Sequence, residues 1–315
     1  MTLGLLFDFT GCEDRVWMKG DLKLDIKIQK LSEHIGAEVR GVDLSKPMDD
    51  KAKNILNKAL AEHVALVIKN QNFDADMFVN AAVAFGKPTR QNFTKFACKE
   101  QPLVSYVSNT FKSAEGKRVY HSTYWHSDHV NRQEPPKYTA LYALEMPVSG
   151  GGDTGIFNTC AAFESLSEGW QKKLKSLKGI HGFKGSSKTA VSHKLGVSQK
   201  LIEDLPVTHD LVRRHPDTGK LAIYLHQGKL KNFLGMQGKE SQELISEVFQ
   251  LTLKPEFIYR HQWQLGDMLI WDNRQSMHQS YKDYKLSETR TLFRIIGGSD
   301  KPLSRLEEAE NLKSA

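Results

Sequence analysis

The sequence predicts a mainly β domain of the α+β class, a barrel or sandwich of short strands with helices packed on one side. Two patterns carry that expectation. Short apolar or alternating runs recur through the second half of the chain, whereas helical periodicity collects mainly in the first. A third observation sets the scale: no internal repeat and no Pro/Gly/Ser-rich linker divides the 315 residues, so 21–300 reads as one domain. Apolar residues make up 39% of the chain against 26% charged, enough to build a sizeable core and to exclude global disorder.

Taken in order, residues 1–20 read as an N-terminal extension, with Met18 as an alternative start. The opening stretch is apolar only as far as Asp8 and lacks a basic lead, which makes it a poor signal peptide. Residues 25–29 alternate like a half-buried strand, and 37–44 like a second. Residues 49–63 place Ala52, Ile55, Leu56, Ala59 and Leu60 at helical spacing, and 64–69 then form a continuous buried strand. Asp74 carries the short carboxylate that caps a helix start, and Gly86 and Pro88 stop that helix after Ala84. Further strands are expected at 137–144, 221–225, 257–263, 268–271 and 291–296, and helices at 160–176 and 240–253. Residues 184–205 have no period and are rich in Ser, Lys and Gly, the mark of a lid, binding loop or mobile insert. Residues 301–315 form a polar tail.

Lys and Arg total 44 against 37 Asp and Glu, a formal net charge of +7. A basic balance admits nucleic acid, an anionic membrane surface or small anions as partners. The lysines are scattered, however. Lys172, Lys173, Lys175 and Lys178 read as a solvated helix face, and no stacking motif or helix-turn-helix accompanies them, so nucleic acid is disfavoured. No run of about 18 apolar residues exists to span a membrane. Cys12, Cys98 and Cys160 lie far apart with no CxxC pair. That excludes a disulfide framework and a cysteine-rich zinc module, and it suits a reducing, cytoplasmic setting.

The chemistry concentrates in Tyr124-Trp-His-Ser-Asp-His129. On a strand, residues i and i+2 face the same way, so His126 and Asp128 can grip one ion. An imidazole nitrogen with a carboxylate oxygen suits a borderline first-row cation, and a third ligand must come from elsewhere. His278, in Trp271-Asp-Asn-Arg-Gln-Ser-Met-His-Gln-Ser280, is the best candidate. An HxD alone is a weak signal; the motifs arranged around it give it weight. Gly150-Gly-Gly-Asp-Thr154 offers backbone freedom followed by side-chain oxygens. In Arg290-Thr-Leu-Phe-Arg294 two guanidiniums share a strand face with Leu292 between them, and paired guanidiniums fork onto carboxylates.

The order HxD, GGDT, WDNR-x-x-x-H and R-x-x-x-R resembles the taurine/α-ketoglutarate dioxygenase family of iron(II)- and 2-oxoglutarate-dependent oxygenases. Ile35-Gly-Ala-Glu-Val-Arg-Gly-Val-Asp-Leu44, Phe85-Gly-Lys-Pro88, Pro135-Pro136 and His215-Pro-Asp-Thr-Gly-Lys220 match as well, so the resemblance runs from about Leu24 to Gly298. It implies a distorted jelly-roll (double-stranded β-helix) core with flanking helices. It makes His126, Asp128 and His278 the Fe(II) ligands, and puts Thr154 against one of the two carboxylates of 2-oxoglutarate. Arg290 pairs with the distal carboxylate. Arg294 belongs to the same cofactor-binding group and matches the position that meets the anionic group of the primary substrate. Trp125 and 272–274 brace the site. The implied reaction consumes O2 as co-substrate and decarboxylates 2-oxoglutarate to succinate and CO2, with oxidation of a substrate C–H bond, most simply hydroxylation. The cofactor carries the hard step, which fits the lack of any Ser/His/Asp or Cys/His arrangement. Asp128 fills the place that chloride would need, which disfavours halogenation. Family members are often dimers or tetramers, so a homo-oligomer is expected.

The departures bear on substrate. His129-Val-Asn-Arg132 stands where members often carry hydroxyl and aromatic side chains, Lys229 stands in place of an aromatic, and 90–94 lacks the histidine expected of a taurine enzyme. Together they argue against taurine itself and for another small anion, with Arg294, Lys229, His129 and Asn131 as candidate contacts and Arg132 as a further cation. Two other readings compete: a jelly-roll hydrolase or isomerase using a His/Asp/His metal site, and a non-enzymatic basic nucleic-acid-binding protein. The first has no need of paired arginines downstream of His278.

Overall fold

The computed structural model describes residues 26–90, 94–112, 116, 123–182 and 206–299. The expected extension at 1–20, the insert at 184–205 and the tail at 301–315 lie outside the described residues. The elements run β1 (Lys27–Lys30), β2 (Ala37–Arg40), α1 (Asp50–His63), β3 (Ala65–Ile68), α2 (Ala75–Val83), β4 (Ser105–Ser108) and β5 (Pro136–Glu145). They continue with β6 (Thr154–Asn158), α3 (Thr159–Glu164), α4 (Glu168–Lys175), β7 (Lys178–His181), β8 (Val207–Asp210), β9 (Val212–Arg214), β10 (Leu221–Ile223) and β11 (Leu230–Phe233). Last come α5 (Gly238–Thr252), β12 (Ile258–His261), β13 (Met268–Asp272), β14 (Ser276–Ser280) and β15 (Thr291–Ser299).

Seven strands form one mixed sheet in the order β1-β2-β3-β13-β5-β15-β4, and β12-β6-β14 form a smaller antiparallel sheet facing it. Strand alternation sorts the side chains. Met268 and Ile270 of β13 join Leu66 and Ile68 of β3 against α1 and α2, where Leu56, Leu60 and Phe78 are fully buried. Leu269 and Trp271 point the other way, into the space between the sheets, and meet Leu141, Leu292 and Ile156. Behind the small sheet, Phe157 and Met277 pack against Phe163 of α3 and Leu244, Val248 and Phe249 of α5. The result is a mainly β sandwich whose sheets do not close into a barrel. Helices cover both outer faces, not one as the sequence pattern suggested, because the small sheet also presents an apolar outer row to be covered.

The helix starts follow local chemistry. Asp49 accepts a bond from the Ala52 amide at 2.7 Å, and Asp74 accepts one from Met77 at 2.8 Å, so each carboxylate satisfies an otherwise orphaned N–H. The single helix expected over 160–176 is two, α3 and α4, with a break between Glu164 and Glu168. Lys178 consequently lies on β7, not on the helix face. The strand expected at 37–44 stops at Arg40, and the one at 257–263 is preceded by a 3-10 turn and covers only Ile258–His261. Strands β4, β6, β7, β8, β9 and β11 were not foreseen; most have only three or four residues, too few to display a period. Among the described residues no helix is long and apolar enough to cross a membrane, and Cys98 and Cys160 are buried and unpaired.

Candidate metal and dicarboxylate site

His278 lies in the middle of β14, where its register partner on β6 is Ile156. His126 meets it across an isolated antiparallel bridge: His126 N–H donates to the His278 carbonyl at 3.0 Å, and His278 N–H returns a bond at 2.8 Å. The His-x-Asp segment is therefore not the strand that its spacing suggested. One bridging residue is followed by a turn over 128–130, in which His129 adopts φ 49°. The turn still delivers Asp128 to the pair, with its Oδ2 at 3.7 Å from His278 Nε2. The imidazole centroids are 4.0 Å apart, and one ligand atom from each of the three residues falls within 4.8 Å of the others.

Protonation states favour a cation here. Burial pushes His126 down, and burial together with the neighbouring His126 ring pushes His278 well down, so both imidazoles are neutral. Burial alone would raise Asp128, but the Arg294 guanidinium opposes it, and the carboxyl is held well below its ordinary range. His126 Nδ1 donates to the Tyr124 carbonyl at 2.9 Å, which leaves the Nε2 lone pair available. His278 Nδ1 is buried and has no hydrogen-bond partner among the described residues. Two neutral nitrogens and one carboxylate oxygen, converging without bonding to one another, fit a borderline divalent ion with positions left open.

The same cavity is lined by Val107, Thr139, Leu141, Thr154, Trp271, Gln279, Ser280, Arg290 and Arg294. Arg290 is 5% exposed and meets no carboxylate within ion-pair distance among the described residues. Its Nε donates to the Gly152 carbonyl and its Nη2 to Thr154 Oγ1 at 3.3 Å, while burial pushes its pKa down to about 10. Gly152 sits at φ +72°, and a Cβ there would stand 3.0 Å from Arg290 Cδ, so any other residue would be strained and would press on the guanidinium. Trp263 Nε1 also donates to Thr154 Oγ1, at 3.0 Å. With both hydroxyl lone pairs taken, the Thr154 proton is left to be given to another acceptor. A buried cation with no carboxylate partner among the described residues, set beside a hydroxyl donor, has the chemistry to suit a carboxylate.

Arg294 shares the cavity-facing side of β15 with Leu292, but its Nη2 donates to Asp128 Oδ1 at 3.0 Å. The other candidate substrate contacts do not line the cavity. Lys229 Nζ donates to Asn131 Oδ1 at 2.8 Å, and His129 is held neutral by burial and by the Lys229 and Arg132 charges. Two motifs read separately in the sequence meet at Asp272. Its carboxylate accepts from His215 Nε2 at 2.9 Å and from Arg274 at 2.7 Å, while His215 Nδ1 accepts the amides of Asp217 and Thr218. Arg274 outweighs burial and keeps Asp272 depressed. Trp125 packs edge-on against Phe157.

Sequence reasoning missed Thr139, Trp263 and His226. Thr139 Oγ1 donates to Asp128 Oδ2 at 2.7 Å from the middle of β5. The His226 ring lies 5.3 Å from that of His126, and its Nδ1 accepts the Gly228 and Lys229 amides at 3.0 Å each. None of the three belongs to a local motif around the ligands, so only the tertiary arrangement reveals them.

Comparison with known proteins agrees with this arrangement. The model of the taurine catabolism dioxygenase TauD, TfdA family matches residues 27–296. An alpha-ketoglutarate-dependent 2,4-dichlorophenoxyacetate dioxygenase of Burkholderia sp. is 30% identical over 271 residues, 82% of this chain and 84% of that protein. An alpha-ketoglutarate-dependent sulfonate dioxygenase of Saccharomyces cerevisiae is 28% identical over 292 residues, 90% of this chain and 69% of that protein. The crystal structure of a taurine dioxygenase from Burkholderia xenovorans superposes with a TM-score of 0.75 at 28% identity, covering 89% of this chain and 91% of the other.

Proposed function

The chain belongs to the TauD/TfdA family of α-ketoglutarate-dependent dioxygenases, and from that premise we propose that it oxidises a small anionic molecule at an Fe(II) centre held by His126, Asp128 and His278. The observation that carries this reading is the convergence of those three donors within 4.8 Å on the wall of a cavity that also holds the buried, carboxylate-free Arg290. When bound, iron(II) with 2-oxoglutarate and O2 supplies the oxidising chemistry, producing succinate, CO2 and an oxidised C–H bond. The protein binds, orients and excludes water. Arg290 takes one carboxylate of 2-oxoglutarate, and the Thr154 hydroxyl donates to the same molecule. Leu141, Trp271 and Val107 keep the cavity wall apolar around the reacting groups. A hydrolase or isomerase would leave Arg290 without a partner to justify its burial.

The substrate class follows from Arg294. Its Nη2 is engaged by Asp128, while the remaining N–H groups of the guanidinium are offered at a side chain 27% exposed. They suit a sulfonate, carboxylate or sulfate ester, in line with the sulfonate and phenoxyacetate named for the two relatives. A succinate-release screen over alkyl sulfonates, aryloxy carboxylates and alkyl sulfates tests this. Substrate-dependent succinate above the uncoupled background is expected for at least one class. Equal stimulation by the matched uncharged alcohols and amides would count against an anionic substrate.

A further inference from the structure

We infer that Thr139 is a positioning residue for Asp128, placed at the end of a one-directional hydrogen-bond chain that begins at the Trp271 indole. The inference rests on the reading of Asp128 as a metal ligand.

The direction of the chain is set by chemistry, not by the placement of hydrogens. Indole Nε1–H can only donate, and Trp271 Nε1 lies 3.1 Å from Asn273 Oδ1. That contact makes Oδ1 the carbonyl end of the Asn273 amide and fixes its NH2 on the far side. The NH2 donates to Thr139 Oγ1 at 2.9 Å. With Oγ1 accepting from Asn273, the one hydroxyl proton is free for Asp128 Oδ2 at 2.7 Å. Every member is buried: Thr139, Trp271 and Asn273 are at most 2% exposed, so water offers no competing partner.

The strand register builds this chain. Thr139 of β5 stands directly opposite Trp271 of β13, and Asn273 follows where β13 ends. The Trp271 ring also packs 4.5 Å from the His278 ring, so one side chain seats a histidine of the triad and starts the chain that orients its carboxylate. Asp128 is thereby gripped on both oxygens, Oδ2 by Thr139 and Oδ1 by Arg294. The two bonds together set the plane of the carboxylate. Supporting hydrogen bonds of this kind typically govern metal affinity by about 10- to 100-fold.

The experiment is an anaerobic titration of the full chain with Mn(II), read by loss of the free-ion resonance signal. Relative to wild type, T139V raises the Mn(II) Kd by roughly tenfold or more, and T139S, which keeps the hydroxyl, restores it. N273A weakens binding as well, and the T139V/N273A double variant binds no more weakly than T139V, because Asn273 reaches Asp128 through Thr139. The restoration by serine and the missing additivity are not expected of two residues that only support the fold. An unchanged Kd in T139V, in a protein whose D128A variant has lost Mn(II), overturns the inference and leaves the ligand assignment intact. Additive losses from T139V and N273A overturn the chain. Should T139V not fold, N273A and T139S still decide the matter: a wild-type Kd in N273A, or a weakened one in T139S, contradicts it. Failure of wild type to bind Mn(II) overturns the ligand assignment and the inference with it.

Discussion

Arg290 concentrates the energetics of the site in one side chain. A buried guanidinium without a carboxylate is costly, and the bonds to Gly152 and Thr154 orient it without neutralising it. A dicarboxylate ligand repairs that deficit, so R290Q should raise the Kd for 2-oxoglutarate roughly a hundredfold while leaving metal affinity near wild type. Anaerobic equilibrium binding measures both, and an unchanged 2-oxoglutarate Kd would refute the role. A second residue makes the fold sensitive to acid. His181 is fully buried, neither ring nitrogen has a partner among the described residues, and burial, with His209 and Lys229 nearby, pushes its pKa down to about 3. The unfolded chain takes a proton on this histidine below pH about 6.5, whereas the folded chain does not until about 3. Its full stability is present above pH 6.5 and drains away as pH falls toward 3, by about 1.4 kcal/mol per pH unit. H181L should therefore shrink the stability lost between pH 7.5 and pH 5 by about 2 kcal/mol. Urea unfolding at the two pH values provides the check, and equal losses in both proteins would contradict it. His126, Asp128, His278 and Arg290 could be picked out in the sequence because motifs carry them; Thr139 could not, since nothing beside it in the chain announces its contact with Asp128.

At the scale of elements, the loop between β5 and β6 and the start of β15 form one device. Gly152 donates to Asp283 Oδ1, accepts from Arg290, and occupies φ +72° where a Cβ would press on the Arg290 side chain. Arg260 ties Asp153 and Asp283 together, so the loop is clamped from outside as well. G152A should cost about 1–2 kcal/mol from the left-handed backbone and also weaken 2-oxoglutarate binding severalfold by displacing Arg290. A lowered Tm with unaltered 2-oxoglutarate affinity would show that the loop does not set the guanidinium. The Asp74 cap was readable in advance, since it acts through a local i to i+3 bond; Asp49 caps α1 in the same way but reads in the sequence only as the start of the helical stretch. Short strands were not readable in this way. β6 owes its existence to pairing with β12 and β14 on either side, and its residues, TGIFN, show no period to announce it. The expected His-x-Asp strand failed for the complementary reason: one bridge to β14 was enough to seat His126, and the turn that follows seats Asp128.

For the molecule as a whole, the site exists because two sheets face each other. The large sheet contributes Thr139, Trp271 and Arg294, the small one Thr154 and His278, and the segment carrying His126 and Asp128 is stitched to β14 between them. Apolar packing between the sheets and between each sheet and its helices sets that spacing. The overall charge of +7 says little about function; the placement of Arg290 and Arg294 within the cavity says much more. The central claim is that His126, Asp128 and His278 hold iron in a position to receive 2-oxoglutarate. Anaerobic addition of Fe(II) and 2-oxoglutarate to the full chain tests it, read by visible absorption. A weak charge-transfer band should appear in wild type and vanish in H126A and D128A, and a well-folded, iron-loaded wild type that shows no band would contradict the account.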